Sequence, residues 1–282
     1  MGTVLLQRHN LVLRQRTSIA QELPANLEEK VVRFRQDVHF VRQNGDFPYH
    51  RIANMDETPV FFDTVPSKTV DIRGKKSIKV RTTGSEKRRI TAVLSCTSTG
   101  KMLPPMIIFK GTTTRCTRGI SSSNGTVVSY QKKAWVDEHK MLKWITDIWI
   151  VYTKKEPSHL FLDSFSAHLT DKVKDTFKWY NTTIVVIPGG CTSVLQPLDV
   201  SINKPVKSIL RQSWERYMLE QSENDTAKIP PPLKQLIVDW VEAANGTLDA
   251  NPTIVKKAFL VTGLSNSLGG HEDELIRNDD VK

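Results

Sequence analysis

The chain has 282 residues, 39% of them hydrophobic and 25% charged, and a formal net charge of +10. That is the composition of a folded globular protein with room for one large domain or two small ones. It contains no apolar run long enough for a transmembrane helix, since the best candidate, 141–152, is interrupted by Lys143 and Asp147, and its N-terminus has no signal-like apolar region.

Cys96, Cys116 and Cys191 are far apart and form no C-x-x-C pair. This argues against a disulfide framework or a thiolate zinc site and points to a reducing compartment. The positive charge is concentrated: Pro66 to Arg118 holds thirteen Lys and Arg against Asp71 and Glu86, an excess larger than that of the whole chain. A solvated basic face is the plain reading of such a block. Its one-sidedness points to a polyanion, and nucleic acid is the natural one because each phosphate contact releases condensed counterions.

In chain order, LEEKVVRFRQDVHFV at 27–41 spaces Val31, Val32, Phe34, Val38 and Phe40 as a helical stripe. With the basic segment before it, this helix is expected to stand apart from the strands after it. Strands are predicted at Tyr49–Met55, Ser77–Arg81, Ile90–Ser95 and Met106–Phe109, with a hairpin around Gly84. A helix comes next at Asp137–Tyr152, then a short buried strand at His159–Leu162, a helix at Thr170–Tyr180 and a strand at 182–188. Helical periodicity resumes at Asp199 and runs through Trp214 and Leu219, kinked or delayed by Pro205. Ser222–Pro232 reads as a linker, Leu233–Ala244 as another amphipathic helix, and the acidic end as frayed. The six tryptophans, Trp135 among them, read as core. This order predicts an α/β protein of ribonuclease H-like type, a mixed sheet flanked by helices with helical N- and C-terminal extensions. The expected divisions are 1–45 (helical), 46–221 (core) and 222–282 (linker, helices and acidic tail).

Three aspartates occupy sites where such a fold gathers function. Asp56 ends one apolar strand, Asp163 ends another, and Asp199 opens a helix after the IPGG turn. Taken singly, each is as well explained as a cap, turn or surface charge. Brought together, carboxylates roughly 4 Å apart repel by about 4 kcal/mol at an effective dielectric near 20, a cost that a hard divalent cation reverses. Mg²⁺ or Mn²⁺ suits an all-Asp set, and two ions can run an in-line phosphoryl displacement. Glu57 adjoins Asp56 but points the other way if the strand continues, and His168 reads first as a local structural hydrogen bond and second as a group orienting a ligand. Ser164, Ser166 and His168 lack a G-x-S-x-G elbow, and no G-x-x-x-x-G-K-[ST] loop exists.

The blocks NMDETPV, VRTTGSEKRRITAVLSCTSTGKMLPPMIIFKG, LFLDSFSAHLT and IPGGCTSVLQPLDVSINKPVK, in this order, resemble the DDE-superfamily endonuclease domain of pogo/Tigger-type transposases of the mariner superfamily, related to centromere protein B and jerky-like proteins. The resemblance spans roughly residues 27 to 270. It implies a catalytic and metal-binding triad of Asp56, Asp163 and Asp199, a two-metal Mg²⁺ or Mn²⁺ site, and DNA cleavage and strand transfer in the nucleus. The implied partners are DNA and a second copy of the chain. The 35 residues between Asp163 and Asp199 match the spacing of that superfamily. The DNA-backbone track is expected at Lys75, Lys76, Lys79, Arg81, Lys87, Arg88 and Arg89. LQRHNLVLRQRT resembles the end of the helix-turn-helix region such transposases carry, which would place the sequence-specific reader outside this chain. A recruited, non-catalytic DNA-binding protein is the alternative.

Overall fold

A computed structural model describes residues 26–45, 48–63, 82–85, 87–222 and 229–277. Its centre is a six-stranded sheet in the order β4-β3-β2-β1-β5-β6. The strands are β1 (Ile52–Phe61), β2 (Arg89–Thr97), β3 (Met106–Lys110), β4 (Val127–Gln131), β5 (Ser158–Leu162) and β6 (Thr182–Val186). The β1/β2 and β2/β3 pairs are antiparallel, while β3/β4, β1/β5 and β5/β6 are parallel. An antiparallel meander joined to parallel crossovers is the mixed, ribonuclease H-like sheet expected.

The helices are α1 (Leu27–Asn44), α2 (Glu138–Trp144, continued by a π-helical Ile145–Trp149 and Ile150–Thr153), α3 (Asp171–Trp179) and the single turn α4 (Thr192–Leu195). After them come α5 (a π-helical Leu198–Ile202 running into Asn203–Ser222), α6 (Lys234–Asp249) and α7 (Pro252–Thr262). Local chemistry sets their starts. Asp137 caps α2 by accepting from the Lys140 N–H at 2.9 Å, and Thr170 caps α3 through the Val173 N–H at 3.4 Å.

Alternation along the strands divides the core into two layers. Ile52 and Val60, Ile90, Ala92 and Leu94, and Phe161 face a layer completed by α1, α5, α6 and α7. Ala53 and Met55, Val93, Leu160 and Leu162 face the opposite layer, completed by α2 and α3. Even-numbered β1 positions therefore look toward α5, and odd ones toward α2 and α3.

Several expectations change. Helix α1 does not stand apart: Leu27, Val31, Phe34 and Val38 are buried in the α5–α7 layer, and Phe34 meets Phe161 edge-on at 6.3 Å. Its apolar stripe is narrower than the sequence suggests, because Val32 and Phe40 are exposed. Strand β1 continues well past Asp56. Pro205 causes no break, lying in the helical stretch directly after the π-helical turn. Strand β4 and helix α7 were not foreseen. The chain end is tied down as far as residue 277, with Arg277 N–H donating to the Val261 carbonyl at 2.9 Å and Asn266 and Ser267 binding Glu272. Among the tryptophans, Trp135 and Trp179 are exposed. The strand predicted at Ser77–Arg81 lies outside the described residues, as do Lys75, Lys76, Lys79 and Arg81.

Candidate active site

The β1/β5 ladder pairs Ala53 with Leu160 and Asn54 with Phe161. Asp56 and Asp163 each stand two residues beyond that last pair, and both line one cleft. Asp163 follows the last residue of β5 as expected. Asp56 sits in mid-strand rather than at a strand end, freed on one side because its parallel neighbour stops there.

Asp199 enters from the π-helical turn that begins α5. It is not a helix cap: its Oδ1 accepts from Asn203 Nδ2, one turn further on, at 3.0 Å. The same Nδ2 donates to Asp56 Oδ2 at 2.9 Å, so one amide joins two of the acids. Fully buried Asn54 joins the elements that carry all three. Its Nδ2 donates to the Phe161 carbonyl at 3.0 Å, and its Oδ1 accepts from the Leu198 N–H at 3.1 Å.

Glu57 lies on the opposite face of β1, as alternation requires, and there it meets buried His168 from the turn Ser166–His168. Nε2 of His168 is 2.8 Å from Glu57 Oε1, and Nδ1 is 2.9 Å from Asp163 Oδ1. The Phe165 N–H also donates to Asp163 Oδ1 at 3.1 Å. Glu57, Asp163 and His168 thus form the tightest set of ligand-type atoms among the described residues, all within 4.8 Å of one another. His168 contacts Asp163 directly and Glu57 reaches it only through His168, which acts on Asp163 as an orienting partner.

Electrostatics follow from this layout. Burial raises the Asp56 carboxyl well above the usual carboxylate range, and Asp199, Glu57 and Asp163 push it further up, opposed by the Asn203 hydrogen bond. Burial would also raise Asp163, but pairing with His168 and the Phe165 N–H outweigh it and hold it low. For His168, burial works against the charged form, yet Asp163 and Glu57 prevail and lift it to about 10. The imidazolium neutralises one side of the cluster, while Asp56 and Asp199 share only a neutral amide.

This donor set fits a hard divalent cation. Each aspartate has one oxygen held in place, and among the described residues no further hydrogen bond reaches Asp56 Oδ1, Asp163 Oδ2 or Asp199 Oδ2. The Asn203 Oδ1 is buried with no partner. A pre-oriented carboxylate group with a repelled, desolvated member is what a cation stabilises.

Asp56 and Asp163, but not Asp199, open onto a cleft of about 240 Å³ that is also lined by Glu57, Arg89, Trp135 and Phe165. Beside it runs a groove of about 470 Å³ that holds Lys87, Arg88 and Arg89 of the expected track, joined by Lys110, Lys133 and Lys234. Arg89 and Trp135 border both. Asn54, Asn203, Trp135 and the last three lysines were missed by sequence reasoning. Only the amides carried a signal, lying two residues before Asp56 and four after Asp199.

The fold defines the class, a ribonuclease H-like domain. The chain belongs to the DDE superfamily endonucleases, whose family profile matches residues 87–259, more than half its length. It is 32% identical over 278 residues to "Pogo transposable element with KRAB domain" of Homo sapiens, covering 96% of this chain and 44% of that protein. It is 26% identical over 295 residues to "CENP-B homolog protein 2" of Schizosaccharomyces pombe, covering 96% of this chain and 52% of that one. The chain thus spans about half the length of these curated relatives. The solved Mos1 mariner paired end complex with Mn shares the fold, with a TM-score of 0.52, 13% identity, and coverage of 89% of this chain and 70% of the other.

Proposed function

We propose that this chain is a transposase-type domain that cuts and joins DNA strands with Asp56, Asp163 and Asp199 as metal ligands. What supports this is that Asp56 and Asp163 line one cleft and that a single Asn203 amide joins Asp56 to Asp199, while the atoms gathered within 4.8 Å are those of Glu57, Asp163 and His168. Held by these residues, Mg²⁺ or Mn²⁺ would supply Lewis-acid chemistry, polarising a phosphate and activating an attacking water or 3′ hydroxyl. The chain's own residues do the rest. Asn203 fixes the relative position of Asp56 and Asp199, and His168, braced by Glu57, fixes Asp163. Lys87, Arg88 and Arg89 neutralise backbone phosphates, positioning DNA without reading its sequence. Lys75, Lys76, Lys79 and Arg81, which lie outside the described residues, are assigned to the same backbone binding by their charge alone. The solved Mos1 complex with Mn and the pogo relatives support this reading, and DNA as the proposed substrate would set its place of action in the nucleus.

The test is nicking of supercoiled DNA in Mg²⁺ or Mn²⁺ by the wild type and by Asp163→Ala. Metal-dependent nicking lost in the variant is expected, whereas equal nicking by both, or none by either, defeats the catalytic reading. A second reading, a recruited DNA-binding protein without catalysis, is favoured by the internal partners of the acids, which hold the site together without metal. It is the outcome if neither protein nicks DNA while both bind it with steep salt dependence.

A further inference from the structure

The turn after β4 is built to hold one side chain out. Ala134 is buried yet has φ of 59°, a left-handed conformation that costs a non-glycine residue on the order of 1 kcal/mol. Its N–H donates to the Gln131 carbonyl at 2.9 Å, and its own carbonyl accepts from Thr91 Oγ1 at 2.5 Å. The Gln131 side-chain oxygen accepts from the N–H groups of Lys133 and Trp135, at 2.5 and 3.3 Å. Val136, the next residue, is buried. The backbone is thus fixed on either side of Trp135, a residue that is 50% exposed. A large aromatic on a fixed mount, half in solvent, adds little to the core.

Its position suggests what it does add. Trp135 stands on the seam between the carboxylate cleft and the groove lined by Lys87, Arg88, Arg89, Lys110, Lys133 and Lys234. Among the described residues, no acid lines that groove. Two of its cations are already placed: Arg88 lies 4.6 Å from the centre of the Phe62 ring, and Lys234 donates to the Cys116 carbonyl at 2.6 Å while standing 5.5 Å from the Phe109 ring. Cations along a groove take phosphates. An exposed indole takes the flat face of a base, and a base offers that face only where it has left the duplex stack.

We infer that Trp135 is a stacking platform for an unpaired nucleotide of a DNA strand lying in the basic groove, with the adjoining phosphate directed to the carboxylate cleft. The occupant is single-stranded DNA at a duplex end. This rests on the DNA-processing reading above and adds to it a preference for strand ends with unpaired bases.

The experiment measures fluorescence anisotropy of labelled DNA in EDTA, so that nothing is cut, using a blunt duplex and the same duplex with a short single-stranded overhang. The wild type, Trp135→Ala and Trp135→Phe are compared. Wild type should prefer the overhang, and Trp135→Ala should lose about 5- to 100-fold on the overhang DNA, as expected for one lost base stack, with blunt binding unchanged. Trp135→Phe should keep most of the preference. If the wild type shows no preference, or Trp135→Ala weakens both DNAs equally or neither, the platform is refuted while DNA binding stands. If the wild type binds neither DNA, the platform and the reading beneath it fall together. An unchanged unfolding midpoint for Trp135→Ala separates lost stacking from lost fold.

Discussion

Replacing Asp56 by asparagine should stabilise the metal-free protein while abolishing its response to metal. The oxygens of Asp56 and Asp199 share one donor at 2.9 and 3.0 Å. They are therefore at most about 6 Å apart, where two unit charges repel by about 3 kcal/mol at an effective dielectric near 20. Burial raises the Asp56 carboxyl well above its ordinary range, and Glu57 and Asp163 add to the repulsion. Partial protonation relieves some of this cost, and an amide at position 56 still offers an oxygen to Asn203. The net gain for Asp56→Asn is expected at about 1–3 kcal/mol, or roughly 2–10 °C in unfolding midpoint near pH 7.5 in EDTA.

The sign with pH comes from the direction of the shift. A carboxyl raised in the folded state contributes stability that is complete below its unfolded pKa and lost as pH rises through the folded one. The advantage of Asp56→Asn should therefore be small near pH 4 and grow toward neutrality. Saturating Mn²⁺ should raise the wild-type midpoint by mass action and leave the variant nearly unmoved. Scanning calorimetry with and without Mn²⁺ decides the matter. A variant less stable than wild type in EDTA, or one that gains as much from Mn²⁺, would refute the reasoning.

Three further outcomes are expected. Because His168 is lifted from its ordinary 6.5 to about 10, its contribution is complete below about 6.5 and lost as pH rises through about 10. In EDTA the wild type should therefore lose stability between pH 7 and 10 by up to a few kcal/mol, whereas His168→Gln should show a flatter profile in chemical denaturation. Asn54→Ala strands a buried N–H of Leu198 and a carbonyl of Phe161. It should cost roughly 2–4 kcal/mol and reduce cleavage beyond what lost folding explains, measured on the fraction folded. Buried Asp63 accepts from the N–H groups of Thr83 and Ser85, from Thr83 Oγ1 and from Trp214 Nε1. Asp63→Ala should lower stability by roughly 2–4 kcal/mol in urea unfolding without abolishing metal binding, since this acid serves the fold.

Much of the fold was legible because β1, β2, β3, β5 and β6 and helices α2, α3 and α5 combine a clear period with turn residues at their ends. Strand β4, VVSYQ, is a short edge strand, and half-burial gives little apolar signal. Helix α7 begins with Asn-Pro after only a short break from α6, which reads as a turn. Asp163 and Asp199 could be placed from local pattern. Asp56 could be found but not located within its strand, because its freedom comes from where a neighbouring strand stops, and that is a tertiary fact. Asn54 acts through bonds that cross over a hundred residues of sequence, and Asn203 matters because it joins nearby Asp199 to distant Asp56. The exposure of Trp135 depends on a left-handed alanine, which no composition or period reports.

The most direct measurement is anomalous diffraction from crystals soaked in Mn²⁺. The expected result is a peak roughly 2.1–2.2 Å from the free oxygens of Asp56 and Asp163, near the distance oxygen ligands adopt around a small hard cation, with Asp199 bordering the same site. A peak ligated by His168 and Glu57 instead, or none beside any of the three aspartates, would contradict a catalytic triad and leave the cluster a structural ion-pair network.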